Sequence, residues 1–325
     1  MRITKFLIII SIMTLLLLAG CNNESEGQQS RSSKFIGGTE GLRIEFVDGT
    51  PPKEVLDSGQ QFGATIKLSN QGEHTVLEGD AIVLLSGFSA GDFGVGANDL
   101  IKVAEDSLLG ASRDAAGNKV QGAITTVDFP ANQQSFEYQK RIAGSISYNI
   151  KADVCYPYTS YANSQICVLR DILGTTGQRD PLCVINERKT VDMSGAPVHI
   201  ENFVQSVSSS DKVSFVFTIR HKGRGSVYQY NSACEEDFNT RNKVRISVDT
   251  GITDGSLTCS GLQNSGTTGT AFEGDVVLLN GEREIRCTQQ LNNPSDFEQL
   301  VQIRAMYDYR DSVTTSLAVK NLGIN

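Results

Sequence analysis

The chain has 325 residues, 39% of them hydrophobic, no tryptophan and a formal charge of −8 at pH 7. A chain with net negative charge is poorly suited to neutralising phosphates and releasing their counterions, which argues against a nucleic-acid backbone as partner. With 31 glycines the composition leans towards turns and strands.

The first element is an export signal. Arg2 and Lys5 precede an almost unbroken apolar run over 6–18, interrupted only by Ser11 and Thr14, and small residues then lead to Cys21. Cationic start, apolar middle and small-residue exit are its three parts. The run is shorter than the ~20 residues a transmembrane helix needs. Leu18-Ala19-Gly20-Cys21 resembles the lipobox of prokaryotic lipoproteins, which implies that 1–20 are removed and Cys21 carries lipid. Plain cleavage near Gly20, leaving Cys21 a spare thiol, is the alternative. Loss of Arg2 and Lys5 moves the formal charge from −8 to −10. Residues 21–37 read as the lipidated cysteine and a polar, Ser- and Gln-rich tether. Asn23-Glu24-Ser25 within it is an N-x-S sequon.

From Gly38 onward the apolar residues alternate. Leu42, Ile44 and Phe46 share one parity, as do Phe62, Ala64, Ile66 and Leu68, which is what a half-buried antiparallel strand requires. Pro51-Pro52 and Asn70-Gln71-Gly72 supply turns. Further strands are expected at 81–85, 124–129, 146–158 and 165–169. Leu100, Ile101, Val103, Ala104, Leu108 and Leu109 fall near helical spacing behind Asn98-Asp99, so a short helix or helical turn inside a long loop is expected over 98–110.

The second half repeats this plan. Residues 213–219 lead into His221-Lys222-Gly223 as 62–68 lead into Asn70-Gln71-Gly72, a displacement of 151. Ile150-Lys151-Ala152 with Tyr156 matches Ile303-Arg304-Ala305 with Tyr309, a displacement of 153. Glu78–Leu85 also looks like Glu273–Leu279 but fits neither displacement, so these read as two strands of similar composition. The expected fold is all-β: two tandem immunoglobulin-like β-sandwich domains at 38–171 and 197–325, joined by a Gly- and Pro-bearing connector at 172–196.

Six cysteines remain after Cys21: Cys155, Cys167, Cys183, Cys234, Cys259 and Cys287. An even number in an exported chain reads as three disulfides, with fifteen pairings open. No C-x-x-C or H-x-x-x-H spacing suggests a metal, and no cofactor is expected.

Several strings invite chemical readings. Gly87-Phe88-Ser89-Ala90-Gly91 has the G-x-S-x-G form of a nucleophile elbow, which needs a helix to begin at once. Gly91, Gly94 and Gly96 oppose that, so no catalytic residue is assigned. His74, His199 and His221 have no partner at ligand spacing. Asp106, Asp114 and Asn118 lack calcium-loop spacing, and Glu235-Glu236-Asp237 reads as a solvated loop. Tyr156 and Tyr309 are expected in the core, whereas Tyr158 and Tyr161 are expected to be exposed and to offer a recognition surface.

The strand ending in Leu68-Ser69-Asn70-Gln71-Gly72 resembles CARDB-like and related Ig-like repeats of prokaryotic surface proteins. Gly38-Thr39-Glu40-Gly41-Leu42, Val154-Cys155-Tyr156-Pro157-Tyr158-Thr159 with Ile166-Cys167, Gly195-Ala196-Pro197-Val198, and Leu257-Thr258-Cys259 with Ile285-Arg286-Cys287 resemble an uncharacterised group of archaeal surface proteins with two Ig-like units. The sequence departs at His221, where Asn is usual. With this resemblance comes an expected pairing: Cys155–Cys167 across a hairpin closing over 158–163, Cys259–Cys287 on neighbouring strands, and Cys183–Cys234 by remainder. The resemblance implies a fold and a location but no activity. The expected function is that of a non-enzymatic, lipid-anchored, extracytoplasmic surface protein acting in adhesion, envelope assembly or binding of a surface protein or glycan. A ligand-binding or accessory subunit of a surface transporter or enzyme complex is the alternative. A serine hydrolase using Ser89 comes last.

Overall fold

A computed structural model describes residues 33–171, 182–321 and 323. The signal, Cys21, the sequon, most of the tether and the first part of the connector lie outside them. The described residues from Lys34 onward form one compact unit. It is all-β, apart from short 3₁₀ turns.

The strands that build it are β1 (Leu42–Phe46), β2 (Ala64–Asn70), β3 (Ile82–Ser86), β4 (Ile101–Val103), β5 (Ile124–Phe129) and the long β6 (Ser145–Val168) in the first half. The second half supplies β7 (Val198–Ser209), β8 (Lys212–His221), β9 (Ser226–Tyr228), β10 (Lys243–Asp249), β11 (Gly255–Ser260), β12 (Gln263–Thr268), β13 (Ala271–Val277), β14 (Glu282–Leu291) and the long β15 (Phe297–Lys320). A ten-stranded sheet runs in the order β12-β13-β10-β15-β6-β3-β4, with β9 and two short strands on its flanks. Two smaller sheets, β1-β2-β5 and one containing β7-β8-β14-β11, complete the frame.

The connection between the halves is the pairing of β6 with β15. All 24 residues of each strand are in antiparallel register, from Ser145 opposite Lys320 to Val168 opposite Phe297. Residues opposite one another share a face, and successive residues alternate. Even positions of β6 and odd positions of β15 therefore form one surface. That surface is apolar: Ile150, Ala152, Val154, Tyr156 and Tyr158 on β6 meet Val301, Ile303, Ala305, Tyr307 and Tyr309 on β15, all buried. Both smaller sheets reach it. The Leu42 N–H of β1 donates to Tyr156 Oη at 2.9 Å, and the Val198 N–H of β7 donates to Tyr307 Oη at 3.2 Å. The main hydrophobic core consequently runs through both halves, with a smaller cluster around Cys167, Cys183 and Leu291.

The backbone repeats along with it. The N–H groups of Gln71 and Gly72 both donate to Gly41 O, and those of Lys222 and Gly223 both donate to Pro197 O. Leu42 pairs with Asn70 in one half and Val198 with His221 in the other. The turn after His221 is thus the same as the turn after Asn70, despite the change of residue. On one side of each contact the displacement is 151, which matches Asn70 with His221, Tyr156 with Tyr307 and Tyr158 with Tyr309; on the other side, Gly41 and Leu42 match Pro197 and Val198 at 156. The displacement of 153 preserves the parity of the strand but not its hydrogen bonds. The Glu78–Leu85 and Glu273–Leu279 likeness is not positional: β3 pairs with β6, whereas β13 is one strand further out, on β10.

Of the short helix or helical turn expected over 98–110, only a 3₁₀ turn at its start forms. This turn, Ala97–Leu100, passes directly into β4, which pairs with β3. Leu100, Ala104 and Leu108 are all buried, and their spacing of four imitates one helix face. Their neighbourhood is extended nonetheless, because its backbone bonds leave the segment: Ala104 N–H donates to Ala81 O, and Leu108 exchanges two bonds with Val76.

The disulfides are Cys155–Cys234, Cys167–Cys183 and Cys259–Cys287. The last joins residues directly opposite each other on β11 and β14, as expected. The other two correct the expected pairing. No hairpin closes over 158–163, because β6 continues unbroken through it. Cys155 and Cys167 therefore lie twelve positions apart on one strand, roughly 40 Å at ~3.3 Å per residue. Cys155 instead holds the loop after β9, whose Asn231 and Ser232 N–H groups also bind the buried Asp308 carboxylate at 3.1 and 2.7 Å. Cys167 holds the connector through Cys183. Three disulfides mark an oxidising, extracytoplasmic environment. Among the described residues no helix is long and apolar enough to cross a membrane.

Candidate binding cleft

The odd positions of β6 and even positions of β15 face away from the tyrosine core. On that side Tyr161 stands opposite Arg304, and Asn163 opposite Gln302. These four side chains belong to a cleft of about 690 Å³, which is also lined by Lys34, Glu73 and Arg113. Its volume falls within the ~300–1,000 Å³ usual for small-ligand sites. Two backbone-linked bonds set the position of Tyr161: its N–H donates to Ser194 Oγ at 2.9 Å, and its carbonyl accepts the Ser194 N–H at 2.9 Å.

The charges are unevenly committed. The Glu73 carboxylate accepts three backbone N–H groups, from Ile36 at 3.0 Å, Gly37 at 3.1 Å and Gly195 at 2.6 Å. Its negative charge is directed into the wall. The hydrogen bonds of Arg113 go to the carbonyls of Phe35 and Gly117, and that of Arg304 to Ser247 Oγ. Neither guanidinium is paired with a carboxylate among the described residues. Each retains N–H donors for a ligand, out of the five such a group carries.

Behind Tyr161 lies His74, with ring centroids 6.3 Å apart, and behind His74 lies Tyr158 at 5.1 Å. Burial lowers the His74 pKa to about 4, against a smaller opposing effect of Asp80. The imidazole is neutral at pH 7 and packs behind Tyr161.

Of the two tyrosines expected to be exposed, the structure places only Tyr161 at an accessible site. Tyr158 is fully buried; its hydroxyl donates to Gly195 O at 2.8 Å and accepts the His74 N–H at 3.3 Å. The reason is parity, since Tyr158 sits on the core face of β6 with Tyr156. Tyr156 and Tyr309 are core residues, as expected. Arg113, Arg304 and Glu73 were not legible as site residues, because Arg304 meets Tyr161 only through pairing of strands assigned to separate domains.

Elsewhere the chemical strings resolve into structure. Ser89 is followed by a single 3₁₀ turn, Ala90–Phe93, and its carbonyl accepts the Asp92 N–H. Asp114 closes a local turn by accepting the N–H groups of Ala116 and Asn118. Glu236 is paired with Arg310. Among the described residues no group of three or more His, Cys, Asp or Glu side chains is arranged to hold a metal ion. No protein-family model matches the chain, and comparison with curated proteins found no match.

Proposed function

We propose that this is a lipid-anchored, extracytoplasmic binding protein, non-enzymatic, built from two immunoglobulin-like sandwich halves and fastened to the membrane through Cys21. The observation that carries the reading is the cleft: an aromatic ring, two amides and Arg304 mounted on the β6–β15 pair, with Arg113 beside them from a neighbouring short strand, neither arginine having a carboxylate partner among the described residues. Side chains on a paired strand are held more firmly than those on a loop, which suits recognition. The cleft's size favours capture of a ligand, or of a short segment of a partner, over a broad adhesive face. The same feature supports a role as the ligand-binding subunit of a surface complex. Adhesion and envelope assembly remain compatible if the captured group belongs to another surface component.

Two experiments test this. Cys21→Ser is expected to release the protein from membranes into the soluble fraction; retention in the membrane contradicts the anchor. A photo-crosslinking amino acid at position 161 on intact cells is expected to join the protein to a ligand or partner, while the same probe at exposed Leu279 does not. Equal labelling from both positions contradicts the assignment of the cleft.

A further inference from the structure

Resting on the reading of the cleft as a binding site, we infer that its ligand is an acidic saccharide of the uronate type, a ring bearing one carboxylate and several hydroxyls. Four observations converge on that chemistry.

The first is charge. Arg113 and Arg304 line the cleft with donors to spare, Lys34 adds an ammonium, and the one carboxylate in the lining, Glu73, is consumed by three backbone N–H groups. What remains for a ligand is positive. Guanidinium forks match a planar carboxylate in a bidentate fashion.

The second is the low total charge the site can accept. The surrounding protein carries a formal charge of −8. A polyanion such as a nucleic-acid or polyphosphate chain would extend past the cleft into that repulsive field. A ligand of one to three rings, held within the cleft, would not.

The third is the pair Asn163 and Gln302, side by side across the β6–β15 ladder. Each amide presents a donor and an acceptor. A sugar hydroxyl likewise donates and accepts, so adjacent hydroxyls satisfy both amides together. A plain dicarboxylate offers acceptors alone and leaves the amide oxygens unmatched, and inorganic phosphate has no apolar face or row of adjacent hydroxyls to span both amides.

The fourth is Tyr161, directly opposite Arg304 and half-buried against His74. Its ring provides the flat apolar surface on which the C–H face of a pyranose can lie, beside the cation that takes the carboxylate.

The test is titration calorimetry of the mature chain, disulfides intact, with tri-galacturonate, with the neutral tri-galactoside of the same length, and with inorganic phosphate. Tri-galacturonate is expected to bind one per chain and to weaken as salt is raised. Arg113→Gln and Arg304→Gln are each expected to weaken it at least tenfold, and Tyr161→Ala similarly. Lys222→Gln, away from the cleft, is expected to change nothing. Circular dichroism and an unchanged disulfide pattern serve to show that each variant is folded. Equal affinity for the neutral trisaccharide, or phosphate binding that competes at equal concentration, overturns the assignment of an acidic sugar. So does uronate binding unaffected by both arginine substitutions. If tri-galacturonate fails to bind while the probe at position 161 still joins a ligand on cells, the sugar inference falls and the binding site stands. If neither occurs, both fall.

Discussion

Tyr156 and Tyr309 face each other across the β6–β15 ladder as register partners, with ring centroids 5.9 Å apart and planes at 64°. Tyr158 and Tyr307, the next pair on the same face, are centred 6.0 Å apart. Because the displacement of 151 carries Tyr156 onto Tyr307 and Tyr158 onto Tyr309, an approximate two-fold axis passes through the intervening pair, Pro157 and Asp308. Each half thus contributes one long strand to a shared sheet, and the four rings fill the place where their cores merge. Pro157 lacks an N–H and is tolerated because no described strand pairs with the other edge of β6 there, between the stretches paired with β3 and with Asp192–Met193.

The tyrosine hydroxyls hold the smaller sheets onto this strand pair. Tyr156→Phe leaves the buried Leu42 N–H without its acceptor, and Tyr307→Phe does the same to Val198. Each substitution is expected to cost about 1–3 kcal/mol, measured by chemical denaturation with disulfides intact. Neither should alter ligand binding in the cleft on the opposite face.

Gly72 and Gly223 make close approach to the same rings possible. A Cβ at Gly72 would lie 1.9 Å from Tyr158 Oη and 2.7 Å from Glu40 O; one at Gly223 would lie 2.2 Å from Tyr309 Oη. Gly72→Ala and Gly223→Ala are each expected to destabilise by about 1–3 kcal/mol or more. Gly91→Ala, in the G-x-S-x-G string, meets nothing within 4 Å and is expected to fall within about 0.5 kcal/mol of the parent. Thermal unfolding of the three variants ranks them.

Alkaline pH is expected to unfold the protein through these rings. Burial, the largest influence on each, raises the pKa of Tyr156, Tyr158, Tyr307 and Tyr309 above the usual phenol value. In the unfolded chain they ionise near ~10. Between the two values the folded state binds more protons, so stability is full below pH ~10 and falls as pH rises above it. Tyrosinate absorbance should show part of the nine tyrosines titrating in the folded protein and these four appearing only with loss of structure. Smooth ionisation of all nine while folded would contradict the buried cluster.

His74 gives the opposite dependence on the acid side. Its folded pKa of about 4 lies below the ordinary 6.5. The stability tied to its neutral form is present above pH 6.5 and is lost as pH falls towards 4, at most about 3 kcal/mol. His74→Phe is expected to flatten this part of the profile. Unfolding midpoints of both proteins at pH 7, 5.5 and 4.5 measure the difference.

Local features were readable from the residues. Alternation located Leu42–Phe46 and Ala64–Asn70 with the correct buried face, the Asn70-Gln71-Gly72 turn and its counterpart were found, and all six downstream cysteines are bonded. What failed depended on long-range pairing. Tyr-Pro-Tyr at 156–158 looked like the approach to a turn, yet register with β15 keeps this stretch extended, buries Tyr158 and carries Cys155 away from Cys167. The cleft was half visible through Tyr161. Its arginines were hidden because nothing local says that Arg304 will stand opposite that ring.

The account depends most on the two halves being one body, and a tryptic peptide map without reduction tests it directly. Cys155 and Cys167 both fall in peptide 152–170, Cys183 in 180–188 and Cys234 in 225–241. The observed bonds predict a single three-peptide assembly that contains all of these. A peptide 152–170 closed on itself, with 180–188 joined separately to 225–241, would mean that β6 folds back as a hairpin and that the shared sheet does not exist.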